Sequence, residues 1–253
     1  MIASSTLFST FVHPDWPAPP NVKALQTTRL GGISQAPYDT LNLGDHVQDN
    51  PIHVAHNRQL LSDFLPSEPV WLNQVHGVRV IDAALSSCVE SADAAFTQRK
   101  EVVCVTMTAD CLPVLVCDTQ GTMVAAIHAG WRSLCDGVIE QTIQTMLAQR
   151  SDLAQTQLMA WLGPAIGPKA FEVGAEVRAQ FIAKDSDADQ AFVVSGDKWL
   201  GNLPLIARQR FNKLGIQAVF GGDECTYSLP EKYFSFRRDG LTGRMATLIW
   251  LSA

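Results

Sequence analysis

The sequence carries no excess of positive charge. Its 19 lysines and arginines are outnumbered by 25 aspartates and glutamates, for a formal net charge of −6. A protein that grips nucleic acid through its phosphates shows a basic stripe, and the few basic residues from Lys232 onward do not make one. No nucleic-acid partner is expected. There is also no run of about 18 apolar residues, the length a membrane-spanning helix needs, so no membrane partner is expected either. The opening stretch, MIASSTLFSTFVHPDW, lacks the positive start of a secretory signal. A cytoplasmic location is the corresponding expectation. The six cysteines include no CxxC pair and no compact framework, so in a reducing compartment they should be free thiols. Repeats, low-complexity tracts and linkers are missing as well, and residues 1–253 are expected to form one domain.

What is present is apolar material: hydrophobic residues make up 47% of the chain and charged residues 17%, enough for a substantial core. Short stretches rich in Val, Ile and aromatics predict strands over 21–28, 69–75, 78–82, 101–107, 113–118, 122–128, 158–163, 191–195, 217–221, 233–238 and 246–251. Asn50-Pro51 supplies an N-cap followed by a proline at the first helical position, which predicts a helix to about Leu65. Residues 134–149 place Leu134, Val138, Ile139, Thr142, Ile143, Met146 and Leu147 on one face and predict another. Residues 171–183 and 203–214 read as two more. Many strands with a few helices predict α and β layers packed together.

The stretch TADCLPVLVCDTQGTMVAAIHAGWR, residues 108–132, attaches one reactive side chain to each of two apolar strands. Cys111 precedes the first; His128 ends the second. Pro113 lacks an N–H, so the chain just after Cys111 is a strand entry or edge rather than a central ladder position. His76, in WLNQVHG, also closes an apolar segment. A lone Cys or His in such a setting is usually a core residue, and Cys104 and Cys117, inside their strands, are read that way. Three in similar settings weaken that reading. If they converge, two chemistries are open. Two His and one Cys with a free fourth position make a catalytic zinc set, with donors that also suit copper. Alternatively, Cys111 is a nucleophile and His128 its base.

Arginine is the second theme, because guanidinium groups bind phosphate and carboxylate through paired donors. Arg29 precedes Gly31-Gly32, a turn that lets backbone approach a ligand. Arg132 follows the His128 segment, and Arg237-Arg238 close a predicted strand. Glu172 follows a Gly/Pro-rich turn and is a candidate acid/base, as well as an ordinary helix-start carboxylate. His53 and His56 share a helix and are read as surface residues.

The blocks TTRLGGIS, LNLGDHVQDNP, NQVHG, ADAAFT, TADCLPVL, AIHAGWR, GPAIGP, FEVG and FSFRRDGLTGR occur in order from about residue 24 to 251. Together they resemble the laccase-domain family. Its members have been called multicopper polyphenol oxidases, purine nucleoside phosphorylases and, in bacteria, peptidoglycan editing factors. The resemblance implies a single-domain layered α/β (α+β) sandwich of two mixed β-sheets flanked by helices. It implies a metal site on His76, Cys111 and His128, with zinc as the metal and copper as the alternative. Arg29, Asn42, Arg132, Arg237 and Glu172 are the expected substrate-binding residues, the arginines because phosphorolysis needs a phosphate cradle beside the ribose.

The activities implied are phosphorolysis of adenosine, inosine and methylthioadenosine, with adenosine deamination; the partners would be a purine nucleoside and phosphate. The alternatives are a Cys-His hydrolase acting on peptidoglycan precursors and a copper-dependent phenol oxidase. The HxE and PCxxC signatures of the better-known zinc deaminases are absent, so deamination would need another acid/base, with Glu172 and Asp110 as candidates. Six histidines are too few for a four-copper cluster, which counts against laccase chemistry.

Overall fold

The computed structural model describes residues 7–150 and 152–253. Two β-sheets lie face to face. The larger is mixed and six-stranded, built from β3 (Val80–Asp82), β5 (Ala94–Thr97), β7 (Leu112–Asp118), β8 (Val124–Ala129), β9 (Leu158–Leu162) and β13 (Ala218–Gly221), in the order β13-β9-β7-β8-β5-β3. The smaller is antiparallel, with β14 (Met245–Leu251) between β1 (Val22–Gln26) and β6 (Cys104–Thr108). Two minor pieces complete the strands. One pairs β2 (Leu72–Asn73) with β4 (Glu90–Ser91); the other is the three-stranded β10 (Glu172–Val173), β12 (Lys198–Gly201) and β11 (Phe192–Ser195).

The strand period of two sorts side chains between layers. In β8, Ala125, Ile127 and Ala129 face a core shared with the helices, while Val124 and Ala126 face the smaller sheet. In β14, Ile249 and Leu251 join that inter-sheet core, while Ala246, Leu248 and Trp250 face the opposite way, toward Leu61 of α1 (Pro51–Ser62). Strands buried on both faces read as nearly continuous apolar runs, which is why β7, β8 and β14 stand out in the sequence. On the far side of the large sheet lie α2 (Trp131–Asp136), α3 (Val138–Gln149), α4 (Ala175–Lys184) and α5 (Leu203–Lys213). The layers are thus helix, sheet, sheet, helix, as expected, except that the smaller sheet is antiparallel rather than mixed.

Local differences have local causes. The predicted helix over 134–149 is two helices. Gly137, at φ 98°, ends α2 and starts α3, so the chain turns where an L side chain would be strained. Residues 171–183 begin as β10 and become helical only at Ala175. Only Leu72–Asn73 of 69–75 is strand. Residues 233–238 are not a strand. Ser235 accepts from the Arg238 N–H and caps a short helix, α6 (Phe236–Asp239), while Tyr233 and Phe234 are buried with Met245. The sequence reading missed β5, whose residues AAFT are poor in β-branched side chains; it sits deep between β8 and β3.

Candidate metal centre and its cleft

The ends of three elements carry the candidate site. Register places Pro113 opposite His128 across β7 and β8, and Leu112 opposite Ala129. Cys111, one residue before β7, therefore comes up beside His128. Pro113 sits at the second position of β7, where its missing N–H leaves most of the ladder intact. His76 arrives from the loop after β2, and its Nε2 lies 3.6 Å from the Cys111 Sγ. One donor atom from each of His76, Cys111 and His128 falls within 4.8 Å of the others. A tetrahedral zinc with ordinary Zn–N and Zn–S lengths needs donors about 3.3–3.6 Å apart. The thiol–imidazole distance already meets that, and the donor set fits a metal. His128 is buried and His76 exposed, so the trio opens to solvent on one side, as a catalytic rather than a structural site requires.

Asp93 lies behind the trio and is fully buried. Its Oδ1 is 2.8 Å from the His128 Nδ1, which leaves the His128 Nε2 as the donor toward the metal position. The same carboxylate accepts the backbone N–H groups of His76 at 2.9 Å, Gly77 at 2.7 Å and Val75 at 3.3 Å. His76 has φ 59°, a conformation uncommon outside glycine, and these bonds hold it there. Burial pushes the Asp93 carboxyl up, but the His128 ring and the loop amides outweigh it and hold it below its usual value. Gln74 anchors the other side of the loop: its carboxamide accepts the Met107 N–H at 2.7 Å and donates to the Met107 carbonyl at 2.8 Å.

The thiol and its imidazole neighbours share charge. Burial raises the Cys111 thiol, but His128 and His76 more than offset this and bring it down to about 6. Burial lowers His128, while the Cys111 thiolate and Asp93 raise it to about 9. Cys104 and Cys117, by contrast, are core thiols pushed well up by burial, as read from the sequence.

The trio opens into a cleft of about 490 Å³ whose walls include Trp131, Arg132, Phe171, Phe236, Arg237 and Arg244. Arg132 and Arg237 line the cleft. Arg132 lies 4.3 Å over the Trp131 ring, and the Arg237 Nη1 donates to the Glu172 carbonyl at 2.7 Å.

Three other expected residues are placed elsewhere. Arg29 is outside the cleft walls, with Nε on the Asp39 carbonyl, Nη1 on the Pro230 carbonyl and Nη2 paired with the Asp39 carboxylate. The backbone approach that Gly32 permits is to Thr40 of the same chain: a Cβ there would come within 2.3 Å of the Thr40 oxygen. Asn42 is buried and structural, accepting the N–H groups of Gly44 and Arg244. The Glu172 carboxylate is paired with Lys198 and does not line the cleft. Asp110 does line it, but Thr226, Ser235 and the Arg237 N–H occupy its oxygens.

The sequence reading singled out neither Asp93, Gln74, His46 nor Arg244. Asp93 and Arg244 stand inside recognised blocks, ADAAFT and DGLTGR, and their position next to a glycine or a strand start was the available signal.

A layered α/β sandwich with an open His₂Cys trio at its strand ends defines a class of candidate metalloproteins. Comparison with known proteins narrows it: the family described as multi-copper polyphenol oxidoreductase laccase matches residues 23–252, and the chain belongs to that family. Among its relatives is a protein of Escherichia coli (strain K12) named purine nucleoside phosphorylase YfiH, 50% identical and covering 96% of this chain and 99% of its own. A Pseudomonas aeruginosa protein, also named a purine nucleoside phosphorylase, is 48% identical over the same shares. The crystal structure of the Neisseria meningitidis protein NMB0706 matches with a TM-score of 0.91 at 46% identity, covering 96% of this chain and all of that one.

Proposed function

We propose that this protein is a purine nucleoside phosphorylase that holds zinc on His76, Cys111 and His128 and acts on adenosine, inosine and methylthioadenosine. The observation that carries this reading is the meeting, in one cleft, of an open His₂Cys trio, arginines with no acid partner among the described residues, and aromatic rings. Relatives named as phosphorylases, at about half identity over nearly their whole length, support it. Zinc bound there supplies a Lewis acid and can lower the pKa of a water molecule.

The chain's own residues do the rest. Trp131, Phe171 and Phe236 offer faces on which a purine can stack. Arg132 and Arg237 offer guanidinium groups to phosphate. Asp93 keeps a proton on the His128 Nδ1. We include adenosine deamination as a second activity of the same cleft. Glu172 and Asp110 are unsuited to its proton transfers, because each is engaged elsewhere. His46, on the cleft wall and held below its usual pKa by burial and by the Arg244 cation, is the titratable side chain left for that role. Among the described residues the three-donor trio is the one such group, which favours a single metal over a multi-copper centre.

One observation favours a second reading. A thiol brought down to about 6 beside an imidazole raised to about 9 is also what a Cys-His nucleophile pair requires, as in a hydrolase acting on peptidoglycan precursors.

The deciding experiment supplies zinc-loaded protein with adenosine, with and without phosphate. Adenine and ribose 1-phosphate should form only when phosphate is present, and inosine should form in both cases. Untouched nucleosides, with cleavage of dipeptide-bearing precursors instead, would give the site to the hydrolase.

A further inference from the structure

A second cavity, of about 270 Å³, shares no wall residue with the cleft. It lies where β9 and β13, a parallel pair, end with Leu162 opposite Gly221. Ligands of α/β sheets commonly sit at the carboxyl ends of parallel strands. The chain turns away there through Gly221 and Gly222, at φ 68° and 83°, and Gly222 donates to the Leu162 carbonyl at 2.7 Å. The N-terminal segment forms another wall. Val12 exchanges two backbone hydrogen bonds with Gln26 of β1, at 2.8 and 2.9 Å, and the chain then brings Asp15 to the cavity.

Trp161, one residue before the end of β9, provides the first observation. It lines the cavity and is only 5% exposed. A buried indole N–H ordinarily finds an acceptor; among the described residues the Trp161 Nε1 has none. Nor is it sealed from solvent, as the unpartnered hydroxyls of Thr106 and Thr108 are. Two glycines leave the ring edge uncovered. A Cβ on Gly221 would lie 2.7 Å from the Nε1, and one on Gly163 would lie 2.9 Å from the Cζ3. Both glycines line the cavity, so the N–H edge opens into it.

Charge provides the second observation. Asp15 and Asp223 line the cavity, are exposed, and pair with no cation among the described residues. Glu224, the third carboxylate there, is already held by Lys232 at 2.7 and 3.0 Å and by the Tyr233 hydroxyl. Two uncompensated negative charges thus adjoin a wall that includes Val12, Leu162 and Pro164. The carboxylates call for a cation, and the apolar wall calls for an aliphatic body. The indole N–H calls for an acceptor, and a neutral one, because the carboxylates repel an anion.

We propose that this cavity binds a primary ammonium that carries an aliphatic body and a neutral acceptor oxygen, the chemistry of an amino-acid amide or of the amino-terminal residue of a peptide. The ammonium faces Asp15 and Asp223, and the oxygen accepts the Trp161 N–H. The site is separate from the reaction in the cleft and does not rest on the phosphorylase reading.

The test follows the indole directly. The full-length protein, uniformly isotope-labelled, is titrated with leucinamide, and its tryptophan N–H signals are read by NMR. The Trp161 signal, identified by its loss in Trp161→Phe, should move. Should that variant fail to fold, the backbone amide signals of Gly221 and Gly222 report the same site. N-acetyl-leucinamide, which lacks the charge, and isoamylamine, which lacks the oxygen, should each bind about 5-fold more weakly. Leucine should also bind more weakly, because its carboxylate meets the acidic rim. Replacing both rim carboxylates, Asp15→Asn with Asp223→Asn, changes only exposed side chains; it should weaken leucinamide about 5-fold and leave nucleoside turnover unchanged. A tripeptide beginning with leucine that binds as tightly as leucinamide assigns the cavity to peptide amino termini; its exclusion assigns it to free amides. A Trp161 signal unmoved by tens of millimolar leucinamide overturns the site. So does equal binding of N-acetyl-leucinamide, or undiminished affinity in the folded double variant.

Discussion

The Asp93 carboxylate holds both histidines of the trio at once: His128 through its ring, with Nδ1 and Oδ1 2.8 Å apart, and His76 through its backbone N–H at 2.9 Å. A single buried side chain thereby fixes which ring nitrogen of His128 faces the metal position and keeps the His76 loop in its left-handed turn. Asp93→Asn replaces an acceptor by a mixed donor and acceptor and removes a charge. Zinc affinity should fall by about 10- to 100-fold, read by competition with a chromogenic chelator. An unchanged affinity in folded protein would show that the two histidines are oriented by something else.

Gly130 bounds the same site from the β8–α2 junction. A Cβ at this position would lie 2.5 Å from the His76 Cδ2 and 3.2 Å from the Cys111 Sγ. Gly130→Ala should therefore displace His76 and abolish zinc retention while the melting profile of the metal-free protein stays close to wild type. Elemental analysis after gel filtration reads the first, calorimetry the second. Full retention of one zinc per chain would mean that the loop yields more readily than its anchoring by Asp93 and Gln74 implies.

Alkylation separates a metal-bound thiolate from a nucleophile. A zinc-bound Cys111 has its lone pairs committed, so iodoacetamide should label it slowly in native protein and quickly after chelation. Once metal-free, a thiol brought down to about 6 is largely thiolate at pH 7. Peptide mapping must follow Cys111 itself, because five other free thiols report their own exposure. Fast labelling of fully active, metal-free protein would favour the Cys-His hydrolase.

The core thiols set an alkaline limit. Burial pushes Cys104 and Cys117 well above their ordinary values. Below about pH 8.5 both are protonated in the folded and the unfolded chain, and the fold bears no penalty. As pH rises further the unfolded chain releases those protons while the folded chain keeps them, so stability is lost, at about 1.4 kcal/mol per thiol per pH unit. Urea unfolding between pH 8 and 10.5 should show that slope, and a Cys104→Ala, Cys117→Ala double variant should flatten it. Identical slopes in the two proteins would assign the alkaline limit to other groups.

Much of this protein was determined by its sequence alone. The layered α/β class followed from strands apolar on both faces and one-sided helices, because burial imposes those patterns directly. The trio of His76, Cys111 and His128 was also legible, because each stands where an apolar segment ends, and the family resemblance named the same three residues. Tertiary structure alone decided how the site is supported. Asp93 precedes a strand too short and too poor in β-branched residues to announce itself, and its role exists only because β5 lies between β8 and β3. Arg29 and Arg244 look alike as sequence, each near glycines and strand ends. Folding gives the first an acid partner in Asp39 and carries the second into the cleft, where no acid pairs with it among the described residues. Local sequence records what a residue can do; which partners reach it depends on chain segments some 200 residues away, as with Asn42 and Arg244, and no local pattern encodes that distance.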